Sequence, residues 1–248
     1  MKFVVSGDYH ELSIRAADDL IERVKSRKNP VICIASGESP AGLYKEIVQR
    51  VSKKQLDISD WFFLGLDEWM GMNGGDEGSC RFHLNEQFFH PLKIAEERIC
   101  FFDGRARDPN GECERIENFI RSHNGIDVAI LGLGMNGHVG MNEPGTPQNT
   151  RSHVADLHST TQQVGQKYFK KEQKLTQGMT LGLANLMESR YVMLLVNGEK
   201  KAAIVQKVFE DDISEEIPAS LLRRHANFIG YLDLAAAERM KIHLATHE

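Results

Sequence analysis

A histidine and a carboxylate that follow a glycine-bounded strand end are the residues of this chain best suited to chemistry. The run Leu131-Gly132-Leu133-Gly134 ends an apolar stretch, and His138 and Glu143 follow, five positions apart. In an open parallel sheet, ligands bind where strands end and the chain turns. A histidine can transfer a proton near neutral pH, and the glutamate could orient its ring. The alternative is that both residues only shape a tight loop.

A pair of adjacent acids follows another apolar run. Asp67 and Glu68 come directly after the strand-like residues 61–66. Successive side chains of an extended chain point to opposite sides, so the two carboxylates should have different roles. We expect Asp67 to face a pocket as a general base and Glu68 to hold a helix end or a loop. The alternative is two solvated acids at the start of a loop.

A small turn with hydroxyl groups is typical of an anion site. Residues 36–40 follow the apolar run 31–35, and we expect Ser39 to be the N-cap and Pro40 the first residue of a helix. The N-terminus of a helix presents N–H groups and a positive dipole end to a phosphate. Lys201 would lie in the first turn of a later helix, which is unfavourable unless an anion is near. The ordinary alternatives are a capped turn and a solvated lysine.

These residues need a framework in which strands alternate with helices. Apolar residues with helical spacing mark residues 10–27 as the first helix. Further helices are expected at 41–53, 81–90, 111–123, 199–209 and 233–241, and strands at 31–35, 61–66, 99–102, 127–131, 191–196 and 227–232. The alternation predicts an α/β fold, a three-layer, Rossmann-like, mainly parallel sheet with helices on both faces.

The composition is that of an ordinary soluble globular protein. The chain has 248 residues, 41% of them hydrophobic and 26% charged, and a net charge of −5 without a basic stripe, which argues against a nucleic-acid partner. No apolar run approaches the roughly 20 residues that span a bilayer, and none resembles a signal peptide. Four scattered cysteines lack the spacing of metal ligands. We therefore expect a cytoplasmic protein without a metal or a membrane partner.

No repeat or linker divides the chain. We therefore expect one domain over residues 1–248, and the sequence does not specify an oligomeric state. The polar residues 148–177 contain few apolar runs and are the best candidate for a mobile segment or lid.

Taken together, these stretches resemble the glucosamine-6-phosphate deaminase/isomerase family nearly end to end. The block from Gly134 to Pro144 is the most specific, because its order and spacing recur as a unit in that family. The other matching blocks are 36–40, 66–69 and 198–201. Residues 78–80, 112–115, 178–183 and 217–220 are closer to the galactosamine-6-phosphate isomerase branch.

The resemblance implies that a hexosamine 6-phosphate is converted to a ketose 6-phosphate with loss of ammonia, without a metal or an organic cofactor. Asp67 would move a proton between C2 and C1 of the opened sugar. His138 would assist ring opening at the ring oxygen, supported by Glu143 and Asn136. The residues implied to hold the phosphate are Ser36, Gly37, Glu38, Ser39, Lys167 and Lys201.

Three residues depart from the family pattern. In one branch an aspartate occupies the position of Asn136 and pairs with the histidine. Asparagine cannot stabilise an imidazolium by charge, so Glu143 should carry more of that role here. Glu38 replaces a small residue, and its carboxylate must point away from a bound phosphate. Lys167 stands where some relatives have an arginine.

Two other functions are compatible with such a fold. The 6-phosphogluconolactonases have a similar glycine-histidine loop, but lactone hydrolysis needs no carboxylate that moves a proton between carbons. Residues 142–144 also fit the deaminase pattern better. A non-catalytic sugar-phosphate sensor usually lacks catalytic residues and carries a DNA-binding module. Here Asp67, His138 and Glu143 are present, and the 35 residues before Ser36 leave no room for that module.

Overall fold

Two β-sheets organise the part of the chain that the computed structural model describes, residues 2–241. Seven parallel strands form the central sheet in the order β1-β10-β9-β6-β2-β3-β5, and three antiparallel strands form a small sheet in the order β4-β8-β7. The strands are β1 (Lys2–Ser6), β2 (Val31–Ile34), β3 (Phe62–Gly65), β4 (Asp67–Trp69), β5 (Ile99–Cys100), β6 (Val128–Gly132), β7 (His153–Asp156), β8 (Gln177–Thr180), β9 (Tyr191–Val196) and β10 (Phe228–Asp233).

Helices connect most of these strands. The α-helices are α1 (Tyr9–Val24), α2 (Glu38–Ser52), α3 (Cys80–Leu84), α4 (His90–Leu92), α5 (Pro109–Ser122), α6 (Ser159–Gly165), α7 (Leu183–Met187), α8 (Ala202–Glu210), α9 (Pro218–Leu221) and α10 (Leu234–Ala237). A π-helical turn (Asn85–Phe89) joins α3 to α4, and 3-10 turns span Glu96–Arg98, Gln166–Tyr168, Glu199–Lys201 and Leu222–Arg224. None of the described helices is both long and apolar enough to cross a membrane.

The alternation of side chains along the central strands builds two cores, one on each face of the sheet. On β2, Val31 and Cys33 pack with residues of α5 and α8, whereas Ile32 and Ile34 pack with residues of α1 and α2. A strand that is buried on both faces has to be apolar throughout, which is how these runs read in the sequence. The three-layer α/β architecture expected from the sequence is confirmed.

The direction of strand progression reverses between β2 and β6. The chain proceeds from β2 to β3 and β5 on one side, and from β6 to β9 and β10 on the other. β2 and β6 are themselves paired, with Ile34 opposite Ile130. Ligands bind outside the carboxyl ends of the strands at such a reversal. The turns that follow β2 and β6, at Ser36 and Gly134, therefore border one crevice.

The chain leaves the central sheet at Leu66, and Asp67 begins a strand of the small sheet. The Leu66 N–H donates to the carbonyl of Ile34 at 3.0 Å, and the Leu66 carbonyl accepts from Leu181 N–H at 2.9 Å. Asp67 then pairs antiparallel with Thr180. The strand expected at 61–66 is observed as Phe62–Gly65, and Asp67 begins a separate short strand at the edge of the small sheet, where its backbone is held by pairing with β8.

The start of α2 differs from the expectation. Gly37, with φ of 129°, is the N-cap, and the helix begins at Glu38 rather than at Pro40. Only glycine adopts this backbone angle readily, so the helix can start one residue after the turn. Pro40 is tolerated at the third helical position, because the backbone nitrogen of a residue there has no hydrogen-bond acceptor within the helix. The prediction that Ser39 caps the helix was wrong.

Candidate active site

A cleft that is partly open to solvent lies at the carboxyl ends of β2, β3 and β6. Eight of the residues predicted to form the site line the cleft, namely Ser36, Gly37, Glu38, Ser39, Asp67, His138, Lys167 and Lys201. Asn136 and Glu143 do not line it and instead contact His138 from behind.

Asp67 and Glu68 point in opposite directions. Asp67 faces the cleft, whereas Glu68 is fully buried behind it. The Glu68 carboxylate accepts the N–H groups of Cys80 at 2.9 Å and Arg81 at 3.0 Å, and so satisfies the start of α3. The prediction that Glu68 holds a helix end is confirmed, and the role of Asp67 as a general base stays a prediction. The alternative of two solvated acids is wrong, because both side chains are buried.

The surroundings of Asp67 favour a proton acceptor near neutral pH. Burial and, to a lesser extent, the adjacent Glu68 carboxylate raise the pKa of Asp67 to about 7, although a contact with the Cys80 thiol offsets part of their effect. A carboxylate with a pKa near the working pH is the most effective base for moving a proton from carbon.

A hydrogen-bonded chain of three residues orients His138. The amide oxygen of Asn136 lies 2.6 Å from Nδ1 of His138, and the Asn136 amide nitrogen donates to Oε2 of Glu143 at 2.7 Å. A carboxylate can only accept, so Glu143 fixes which end of the amide faces the histidine. The amide oxygen then also accepts, which requires the proton on Nδ1. Nε2 is left as the proton acceptor.

The imidazole of His138 is neutral at physiological pH. Burial is the main cause that lowers the pKa of His138 to about 4. The Glu143 carboxylate opposes it with a smaller effect, and the charges of Lys201 and His158 add to the lowering. The ring also packs closely on the backbone of the preceding loop. A Cβ atom at Gly134 would lie 2.3 Å from the ring, so the glycine is required for this approach.

Residues 148–177 supply part of the site. Thr161, on α6, places its hydroxyl 3.1 Å from Nδ1 of His138, and the N–H of His158 donates to Oε1 of Glu143 at 3.3 Å. Strand β7 pairs with β8, from His153 opposite Thr180 to Asp156 opposite Gln177, and this pairing joins the two sides of the segment. Sequence reasoning did not find Thr161, because a hydroxyl in a polar stretch carries no pattern. The mobility expected for this segment stays a prediction.

The two stretches expected to bind an anion meet at one end of the cleft. The Ser39 hydroxyl hydrogen-bonds Oδ1 of Asn197 at 2.6 Å, which joins the start of α2 to the loop before Lys201. Burial and, to a lesser extent, the positive charge of Lys167 lower the pKa of Lys201 to about 8. The Lys201 ammonium donates to the carbonyl of Leu133, which holds it at the end of β6.

Tyr9 supports this end of the cleft, although no sequence signal marked it. Its hydroxyl donates to the carbonyls of Glu38 and Ser39 and accepts the N–H of Gly42 at 2.7 Å. A residue of α1 therefore fixes the first turn of α2. Only the tertiary structure shows that the two helices meet here.

The cleft combines a buried carboxylate, a neutral imidazole and two lysines. The carboxylate and the imidazole can move protons, and the lysines and helix N-terminus can bind an anionic group. Within residues 2–241, no group of three or more His, Cys, Asp or Glu side chains could hold a metal ion.

Comparison with known proteins gives matches along nearly the whole chain. Residues 8–229 match the model of a family described as glucosamine-6-phosphate isomerases/6-phosphogluconolactonase. The chain is 34% identical to a glucosamine-6-phosphate deaminase of Bacillus velezensis, over 96% of this chain and 99% of that protein. It is 37% identical to a putative deaminase, AgaI, of Escherichia coli K12, over 90% and 88% of the two chains.

Solved structures give the same picture of the fold. A monomeric glucosamine-6-phosphate deaminase superposes with a TM-score of 0.93 at 32% identity, covering 96% of this chain and all of that one. A 6-phosphogluconolactonase from Trypanosoma brucei superposes with a TM-score of 0.75 at 20% identity, covering 96% and 97%. The second likeness extends to the fold alone.

Proposed function

Because the chain belongs to the family of glucosamine-6-phosphate isomerases and 6-phosphogluconolactonases, we propose that it is an amino-sugar-phosphate deaminase. It converts a hexosamine 6-phosphate to the ketohexose 6-phosphate and ammonia. The observation that carries the proposal is that Asp67, His138 and Lys201 line one cleft, in a chain 34% identical over nearly its full length to a deaminase. The lactonases share the fold at about 20% identity and support only a distant relationship.

His138 opens the sugar ring. Nε2 of the neutral imidazole accepts the proton of the C1 hydroxyl and returns it to the ring oxygen as the C1–O5 bond breaks. The products are an aldehyde at C1 and a free hydroxyl at C5. Asn136 holds the ring in the tautomer that this step requires.

Asp67 then isomerises the open chain. Its carboxylate removes the proton from C2 while O1 takes up a proton from water, which gives an enolamine, and it then delivers the C2 proton to C1, which leaves an iminium ion at C2. Water hydrolyses the iminium ion to the ketone, and the nitrogen leaves as ammonium, whose positive charge corresponds to the proton taken up at O1. Positioned general acid–base catalysis of this kind contributes roughly 10² to 10⁴ in rate.

The phosphate positions the substrate. The turn from Ser36 to Ser39, together with Lys167 and Lys201, offers N–H groups, hydroxyls and two cationic side chains at the end of the cleft. Because the phosphate takes no part in the reaction, its binding energy can be used to place C1 and C2 against Asp67.

Glucosamine 6-phosphate and galactosamine 6-phosphate differ only at C4, and both fit the proposed reaction. Several sequence blocks favour galactosamine 6-phosphate, including Gly78-Ser79-Cys80, and Cys80 lines the cleft. Similar proteins of named activity are glucosamine-6-phosphate deaminases. A site that hydrogen-bonds one C4 hydroxyl can reject the other epimer strongly. We propose galactosamine 6-phosphate as the better substrate.

Ammonia release from each hexosamine 6-phosphate tests the proposal. We expect release from at least one epimer, faster from galactosamine 6-phosphate, and loss of this activity in Asp67→Asn. The exposed Asp212→Asn has the same change in charge and serves as the control. Hydrolysis of 6-phosphogluconolactone without ammonia from either hexosamine would overturn the assignment.

A further inference from the structure

Glu38 and Lys167, which both depart from the family pattern, form an ion pair. Oε2 of Glu38 lies 2.9 Å from Nζ of Lys167. Glu38 is the first residue of α2, and Lys167 lies in the 3-10 turn after α6, so the pair joins the two sides of the cleft. Both side chains line the end assigned to the phosphate.

This ion pair changes the charge that an incoming phosphate would meet. Lys167 and Lys201 together carry two positive charges, enough to balance a phosphate dianion. Glu38 cancels one of them through its ion pair with Lys167. Its effect extends beyond Lys167, since the Glu38 carboxylate also raises the pKa of Lys201 against the larger effects of burial and Lys167.

Glu38 is able to leave. Its side chain is 74% exposed and Lys167 is 41% exposed, so the carboxylate can rotate into solvent. An exposed ion pair is worth little on its own and exchanges easily for a stronger one. A phosphate dianion at the start of α2 is a stronger partner for Lys167 than a solvated carboxylate.

Building on the phosphate end of the proposed function, we propose that Glu38 sets the affinity of the cleft for the phosphate group. In the empty site it holds Lys167, and a bound phosphate displaces it and takes over the ammonium. Glu38 also keeps Lys167 beside the cleft before substrate arrives. Because the ion pair has to be broken when phosphate binds, the phosphate affinity is lower than it would be without Glu38. A phosphorylated product is therefore released faster.

Calorimetric titration with inorganic phosphate at pH 7 tests this exchange without requiring activity. We expect Glu38→Gln to bind phosphate about twofold to fivefold more tightly than the wild type, in line with the loss of one exposed ion pair. Lys167→Gln should bind more weakly. In the Lys167→Gln background, adding Glu38→Gln should change the affinity less than about twofold, because no ammonium remains to be released.

The pair Glu77–Lys170 supplies a matched control. Its atoms lie 2.7 Å apart, its lysine belongs to the same segment, and neither residue lines the cleft. Glu77→Gln should therefore leave the phosphate affinity unchanged. An equal change in this control would overturn the proposal, since only overall charge would then matter.

The other outcomes separate the exchange from simple repulsion and from the reaction. If Glu38→Gln tightens binding equally with and without Lys167, Glu38 only repels the ligand and the exchange is wrong. Failure of the wild type to bind phosphate would overturn both the exchange and the assigned phosphate end. The protein could show the expected phosphate affinities in all these variants and yet release no ammonia from either hexosamine 6-phosphate. That result would support the exchange and overturn the proposed reaction.

Discussion

The amide oxygen of Asn136 lies 2.6 Å from Nδ1 of His138. Oε2 of Glu143 is 3.6 Å from the same nitrogen and acts mainly through the amide, which donates to it at 2.7 Å. The carboxylate thus sets the orientation of Asn136, and Asn136 sets the tautomer of His138. Charge stabilisation and orientation, which a single aspartate could combine, are divided here between two residues.

This division predicts unequal losses in two variants. Glu143→Gln leaves Asn136 free to turn over and donate to Nδ1, which would place the proton on Nε2. We expect kcat to fall by roughly 10², the range of one general-base contribution. Asn136→Ala should cost only about tenfold, because the Thr161 hydroxyl, 3.1 Å away, can still accept from Nδ1. Steady-state kinetics at pH 7.5 measure both, and equal losses would contradict the orientation argument.

The pH profile of kcat/KM should be a narrow bell. In the proposed mechanism Asp67 acts as an ionised base, so its pKa of about 7 places the acidic limb there. In the same proposal Lys201 binds the phosphate as a cation, so its pKa of about 8 gives the basic limb. His138, with a pKa of about 4, should not titrate in between. Initial rates from pH 5 to 10 test this. If substitutions of residues next to Asp67 leave the acidic limb at the same pH, a group other than Asp67 is the base.

Removing the Asp67 charge should stabilise the protein while abolishing activity. The pKa of Asp67 is raised from 3.8 to about 7, so the folded state binds the proton more tightly than the unfolded chain. Stability from this group is complete below about pH 4 and is lost as pH rises to about 7. We expect Asp67→Asn to gain roughly 2–4 kcal/mol at pH 8 and little at pH 4.

Urea denaturation at the two pH values measures that gain. Asp212→Asn, at an exposed position with no effect on the cleft, should change the free energy of unfolding by less than about 0.5 kcal/mol. A gain of the same size at both pH values would show that burial of the charge is not its origin.

Tyr9→Phe should affect substrate binding more than the chemical steps. The hydroxyl accepts the N–H of Gly42 and donates to the carbonyl of Glu38, so its loss loosens the first turn of α2. We expect KM for the hexosamine 6-phosphate to rise severalfold with kcat within about twofold, since the reacting carbons lie elsewhere. Tyr191→Phe, which changes the same group on β9 outside the cleft, is the matched control.

The central sheet was predictable because its strands are buried on both faces and therefore apolar throughout. The strand Tyr191–Val196 was predicted with its observed bounds. The small sheet was not, because β7 and β8 are short and of mixed polarity and exist through pairing with each other and with β4. Strand β1 was also not assigned, and its pairing with β10 joins opposite ends of the chain.

The candidate site was predictable in its residues more than in its connections. Strand ends and loop glycines led to Asp67 and His138, since position along a strand is visible in the sequence. Which side chain supports which is decided by distances across the fold. The contact of Thr161 with His138 spans 23 positions and that of Lys167 with Glu38 far more, and neither leaves a local pattern.

The closed stem formed by β7 and β8 makes residues 157–176 an interchangeable module. Both ends of this stretch emerge from one paired ladder, so its replacement would leave the strand register in place, provided that Leu157 and Leu175, which belong to one of the two cores, are kept. The stretch nevertheless carries Thr161 and Lys167, which reach opposite ends of the cleft. Exchange of this stretch between relatives would therefore change the partner of His138 and the lysine at the phosphate end in a single step, without altering the strands that carry Asp67 and the end of β6.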